Sequence, residues 1–191
     1  MIVSHSKKLI FIHVHRTAGT SFSNMLRQHL GGAMEEFSQH SNAKTLDHDL
    51  FENYHDYYKF GFVRNPWERI FSWYALIHGN KQQPLAEARI NFENFLEDDQ
   101  ASDFNTNYFY YNALDYFINH KGELIADYIG RYENLNDEIN TILNQFNFPL
   151  TEIPHVNVAS PKDYKRFYTD KSHDLIAEKC KKDIAYFNYR F

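Results

Sequence analysis

A continuous apolar run of strand length, Lys8 to Val14, leads directly into His15-Arg16-Thr17-Ala18-Gly19-Thr20-Ser21 and then into a helical pattern. The run is broken only by His13 and shows no polar alternation, which predicts a strand buried on both faces, as in a parallel sheet. Phe22, Met25, Leu26 and Leu30 fall on one stripe, so a helix is expected from about Thr20 to Leu30, with Gly31-Gly32 ending it. Strand, small-residue turn and helix together form the layout of an anion cradle. Small residues let backbone N–H groups turn inward, and the helix N-terminus adds partial positive charge. Thr20 and Ser21 offer hydroxyl donors, and Arg16 adds a full charge at the mouth. An ordinary capped turn would share the small residues. The nucleoside-triphosphate loop GxxxxGK[ST] is absent.

Further strand and helix signals follow in alternation. Lys59–Val63 reads as a second short strand, and Asn65-Pro66 as a helix start, with Asn capping and Pro in the first turn. The helix after it is expected to bury Trp67, Ile70, Phe71 and Tyr74. Leu124–Gly130 reads as a strand. Asn134–Phe146 reads as a helix with Leu135, Ile139, Ile142, Leu143 and Phe146 facing inward, residues 149–161 as a loop, and Lys171–Lys182 as a last helix. This order predicts an α/β fold: a single domain over residues 1–191 with a parallel sheet flanked by helices. At 191 residues the chain can bury a real core, and no repeat or Gly/Pro-rich linker divides it. Its 43% hydrophobic and 17% aromatic content excludes a disordered segment. With 20 basic against 25 acidic residues, no broad phosphate-coating surface is expected, so nucleic acid is not a predicted partner. Cys180 is the one cysteine, so no internal disulfide can form; beside Leu175, Ile176 and Ile184 it reads as core. Residues 1–8 read as short and polar, and Leu9–Val14 is too short for a membrane span or signal core. A soluble, cytoplasmic protein is the expectation.

Residues 61–74, Gly-Phe-Val-Arg-Asn-Pro-Trp-Glu-Arg-Ile-Phe-Ser-Trp-Tyr, are the more specific segment. Arg64 stands where a strand gives way to a helix, so its guanidinium can meet a phosphate at the sheet's carboxyl edge. Ser72 lies on the helix face away from Trp67, Ile70, Phe71 and Tyr74, which predicts a hydroxyl open to polar matter. Taken singly, Arg64 could instead pair with Glu68, and Ser72 could be a surface residue. Together, HVHRTAGTSF (13–22) and FVRNPWERIFSWY (62–74) resemble the sulfotransferase family typified by heparan sulfate 2-O-sulfotransferases and their bacterial relatives. That family carries H-[VI]-P-K-T-[AG]-[GS]-T-S and F-V-R-N-P-x-x-R-x-x-S-x-Y. The resemblance extends over nearly the whole chain, through Gly130–Leu135, His155–Ser160, Asp163–Tyr168 and Asp183–Phe191.

The resemblance implies a P-loop nucleotide-hydrolase-like sulfotransferase fold and a co-substrate, 3′-phosphoadenosine 5′-phosphosulfate. Arg16, Thr17, Ala18, Gly19, Thr20, Ser21 and Phe22 would hold its 5′-phosphosulfate and Arg64 with Ser72 its 3′-phosphate, while Ser160 and Lys162 would close a loop over it. Two residues depart from the pattern: His15-Arg16 replaces Pro-Lys. Arginine keeps the charge but cannot give up a proton. Sulfuryl transfer needs fixed positive charge on the leaving phosphate, so Arg16 is expected to be catalytic and no metal is expected. The acceptor hydroxyl needs a base poised near neutrality, a task that suits histidine. Relatives place one in the polar stretch after the first helix, which points to His40, with His48, Glu35 and Glu36 as alternatives. His13 reads as core, and His5, His29, His78, His120 and His173 as surface or helix-face residues. Arg131 and Glu133 read as a structural ion pair. The aromatic run 107–117 fits a sugar-stacking wall, a core segment or a contact between subunits of a homo-oligomer. The acceptor is expected to be a glycan or a glycolipid head group. A small-molecule kinase or a non-catalytic nucleotide-binding protein are the rival readings.

Overall fold

The computed structural model of the chain describes residues 1–31, 34–37, 53–79, 83–97, 111–150 and 163–191. Strands β1 (Ile2–Ser4), β2 (Leu9–Ile12), β3 (Glu35–Glu36), β4 (Tyr58–Val63) and β5 (Tyr128–Arg131) form one sheet in the order β3-β1-β2-β4-β5. The helices are α1 (Gly19–Leu30), α2 (Pro66–His78), α3 (Leu85–Glu97), α4 (Leu135–Gln145), α5 (Asp170–Lys179) and α6 (Lys181–Phe187). Short 3-10 turns occupy Ala113–Phe117, Tyr132–Asn134 and Tyr164–Phe167.

The expected parallel sheet is only partly realised. β2, β4 and β5 are parallel, but β1 runs antiparallel to β2 and β3 antiparallel to β1. The N-terminal residues are therefore structural: Ile2, Val3 and Ser4 are buried, where a short polar lead was expected. β5 begins at Tyr128, later than Leu124, which makes an isolated bridge to Ile118. The predicted last helix is two, because the chain turns at buried Cys180 before α6 begins.

Burial on both faces explains the unbroken apolar run. Leu9 and Phe11 face one core with Phe60, Phe62, Phe22, Leu26 and Ile142, beneath α1 and α4. Ile10 and Ile12 face the other, with Val63, Ile70, Phe117 and Ile176, beneath α2, α3, α5 and α6. Cys180 belongs to this second core, and burial pushes its thiol up to about 12. Asn65 caps α2 as expected, accepting the Trp67 N–H at 3.1 Å. Among the described residues, no helix is long and apolar enough to cross a membrane.

Gly61 sits where β4 passes β2 under the ring of Phe117. A Cβ there would lie 2.5 Å from the Ile12 carbonyl oxygen and 2.8 Å from Phe117 Cε1. Gly61→Ala should therefore lose about 1–3 kcal/mol in urea unfolding, the usual cost of overpacking a core; unchanged stability would show that the sheet yields at this point.

Candidate active site

Parallel register brings three chain segments to one edge. Ile12 lies beside Gly61, and Val63 beside Arg131, so the residues that follow β2, β4 and β5 emerge side by side at the carboxyl end of the sheet. The first is the turn 13–18. Arg16 (φ 66°) and Ala18 (φ 62°) both take left-handed backbone there, a conformation that costs a residue with a Cβ roughly 1–2 kcal/mol. The turn is held closed by the Thr17 hydroxyl, which donates to the Val14 carbonyl at 2.9 Å. Gly19 follows because nothing larger fits: a Cβ would stand 1.9 Å from the buried His13 ring.

Helix α1 then begins with Ala18 at its cap and no side-chain cap bond. Its first closing bond is Phe22 N–H to Ala18 O at 3.1 Å, so the amides of Gly19, Thr20 and Ser21 lie ahead of the intrahelical ladder. This positive end faces the same edge as the cations.

Arg64 follows β4 and is 6% exposed. Its Nη2 donates to Glu68 Oε1 at 2.5 Å, its Nη1 donates to the Arg16 carbonyl at 3.1 Å, and its guanidinium lies 4.1 Å over the Tyr132 ring. Among the described residues its buried Nε has no hydrogen-bond partner. Arg16 Nε donates to Ser72 Oγ at 3.0 Å. Burial and then the nearby Arg64 charge push the Arg16 guanidinium below its ordinary range. Two guanidinium groups thus share a partly desolvated corner, and the ion pair recorded there is Arg64 with Glu68. A polyanion is the ligand that such a corner favours.

The structure brings Arg16, Thr17, Ala18, Gly19, Thr20, Ser21, Phe22, Arg64 and Ser72 to this edge, but three of them differ from expectation. Ser72 is fully buried, because the 13–18 turn covers its face of α2; its oxygen accepts from Arg16 and does not stand open. Phe22 is also fully buried, 4.7 Å from Phe11 between ring centroids, so it contributes backbone and no side chain. The Thr17 hydroxyl has already spent its proton on Val14. His40, His48, Ser160 and Lys162 lie outside the described residues.

Glu36 is held by both Arg27 nitrogens at 2.7 and 2.8 Å, and this hydrogen bonding keeps its carboxyl below the usual range, away from a base poised near neutrality. Glu35 pairs with His5 at 3.1 Å. Arg131 and Glu133 do not pair with each other in the expected way. Arg131 donates to the Phe187 carbonyl at 2.6 Å, whereas Glu133 accepts the Asn65 N–H at 2.5 Å. From the aromatic run, Tyr116 and Phe117 are core, Tyr111 is half-buried, and residues 107–110 lie outside the described residues.

Three contributors escaped local sequence patterns: Tyr132 beneath Arg64, Glu133 on the helix start, and Tyr164, whose hydroxyl is pushed up to about 12 by burial and by Glu68 beside it. The register of β4 with β5 is the signal that places Tyr132 next to Arg64. Among the described residues, no group of three or more His, Cys, Asp or Glu could hold a metal ion.

The model of the sulfotransferase family matches residues 1–190. The chain belongs to the sulfotransferase family. Its activity class is accordingly a transferase of sulfuryl groups, and the sheet flanked by helices agrees with that fold. No curated protein and no solved structure matches the chain.

If the corner binds polyanions, inorganic pyrophosphate should raise the unfolding temperature by about 3–6 °C at about ten times its dissociation constant. Sodium chloride at equal ionic strength should not, and Arg64→Ala should abolish the shift. A shift that survives Arg64→Ala would place the anion elsewhere.

Proposed function

We propose that this sulfotransferase moves the sulfuryl group of 3′-phosphoadenosine 5′-phosphosulfate to a hydroxyl of a carbohydrate, a glycan or a glycolipid head group, without a metal. The observation that carries the reading is the pair of guanidinium groups, Arg16 and Arg64, meeting at the uncapped start of α1. The residues fit the donor: its two phosphorylated ends call for two separate sources of positive charge, and Arg64 retains a buried N–H to give.

In this reading Arg64 holds the 3′-phosphate, Ser72 stays beneath as the acceptor for Arg16, and Arg16 with the amides of Gly19, Thr20 and Ser21 holds the 5′ end. Ser160 and Lys162 close over the nucleotide. The donor supplies a sulfuryl group activated by its anhydride link to phosphate. Transfer makes a bond from acceptor oxygen to sulfur and breaks the bond from sulfur to the phosphate oxygen, leaving adenosine 3′,5′-bisphosphate. Charge that grows on the departing phosphate meets Arg16 and the end of α1, which are fixed in place before reaction. Arg16 serves here as charge and not as acid, since a guanidinium keeps its protons at any working pH.

His40 takes the acceptor's proton. β3 runs in the same direction as β2, and Phe37 continues its ladder by donating to the Met1 carbonyl at 3.1 Å. The described chain therefore arrives at the carboxyl edge of the sheet three residues before His40. Relatives of the heparan sulfate 2-O-sulfotransferase type, which the two motifs resemble, carry a histidine in the same stretch.

His40→Ala should cut turnover roughly 10²–10⁴-fold, the usual worth of a general base. Donor affinity should stay near wild type, because other residues hold the phosphates. The wild-type rate should fall toward acid pH as the imidazole gains a proton, and this limb should be missing from the variant's residual activity. Release of adenosine 3′,5′-bisphosphate with an acceptor that supports wild-type turnover measures all of these. Normal turnover by His40→Ala would move the base to another residue, with His48 next to replace.

A further inference from the structure

Arg16 holds an unfavourable backbone conformation, and the residues on both sides of it are tied down. On one side is Thr17, bonded to Val14. On the other is His15, which is 2% exposed and shares a 2.6 Å hydrogen bond between Nδ1 and the hydroxyl of Tyr116, itself fully buried. The His15 ring also meets Trp73 edge-on at 5.1 Å, while Arg16 reaches Ser72 at 3.0 Å. Two consecutive turn residues thus dock on two consecutive residues of α2. Tyr116 is a firm anchor, for its 3-10 turn is held by Asp183, which accepts the Ala113 and Leu114 N–H groups at 2.7 and 2.9 Å.

The family pattern has proline at position 15, where the ring fixes the backbone before the charged residue. Histidine leaves that backbone free to turn, so its restraint must come from the side chain. We propose that His15 and Tyr116 are positioning residues for Arg16: their buried hydrogen bond supplies the restraint that proline supplies in the family pattern, and it keeps the guanidinium aimed at the 5′ end of the donor. The two departures from the pattern, His15 and Arg16, then form one functional unit with Tyr116. This inference rests on the proposed role of Arg16 at the 5′-phosphate.

The test compares adenosine 3′,5′-bisphosphate with adenosine 3′-monophosphate by calorimetry, since their affinity ratio isolates the 5′-phosphate. The wild type should prefer the bisphosphate by roughly 10–100-fold, as expected of charge-assisted hydrogen bonds. Tyr116→Phe should shrink this preference about 3–10-fold and leave the monophosphate affinity unchanged. In an Arg16→Ala background the same change should have no further effect, because its consequence passes through Arg16. His15→Asn, whose amide can still bond the Tyr116 hydroxyl, should keep more of the preference than His15→Ala. Equal weakening of both nucleotides, or losses that add to those of Arg16→Ala, would overturn the positioning role and leave the placement of Arg16 standing. A preference left undiminished by Arg16→Ala would instead remove Arg16 from the 5′ end, and the positioning role with it.

Discussion

Parallel pairing of β2, β4 and β5 determines where positive charge collects in this chain. The register sets Ile12 beside Gly61 and Val63 beside Arg131, so the 13–18 turn, Arg64 and Tyr132 leave the sheet as neighbours. Like charges at close quarters repel, and partial burial raises that cost. Glu68 offsets Arg64 in part, and the Arg16 carbonyl and the Tyr132 ring take up other parts of its guanidinium. What remains is a standing preference for a multiply charged anion. A chain of net charge −5 can hold such a site because the charge is local.

The C-terminal third braces this corner from behind. Asn65, which caps α2, donates to the Arg190 carbonyl at 2.7 Å, and Glu133 accepts from both the Asn65 N–H and, at 3.3 Å, the Tyr189 hydroxyl. Trp67 donates to the His173 carbonyl, and Tyr168 to the Trp67 carbonyl. Arg69, fully buried on the same helix, donates to the Tyr111 carbonyl, and its charge acts on Asp183. The second motif is thus gripped, through side chains and backbone, by residues 42 to 125 positions away. The proposed catalysis by fixed charge requires this, because groups already in place need no reorganisation when charge moves.

Much of the architecture could be read from local pattern. The apolar run of β2, the Asn65-Pro66 start of α2, the stripe of α1 and the Gly31 stop all follow from burial and capping, as did the position of Arg64 at a strand end. Features that depend on distant packing could not be read in this way. β1 has three residues and β3 two, too few for a periodic signal, so the antiparallel half of the sheet went unseen. The turn at Cys180 interrupts the helix while leaving the apolar spacing intact. Ser72 looked solvent-facing on its own helix and is covered by a turn from elsewhere in the chain. His15 and Tyr116 are 101 residues apart, beyond the reach of any local rule.

In the proposed function the edge holds a nucleotide phosphorylated at both its 3′ and 5′ positions. Thermal unfolding of the wild-type chain with adenosine 3′,5′-bisphosphate, AMP, and ATP with magnesium tests it most directly. A large stabilisation by the bisphosphate is expected, unchanged by EDTA, with little from AMP or from ATP with magnesium. Stabilisation by ATP and magnesium equal to or above that by the bisphosphate would contradict it.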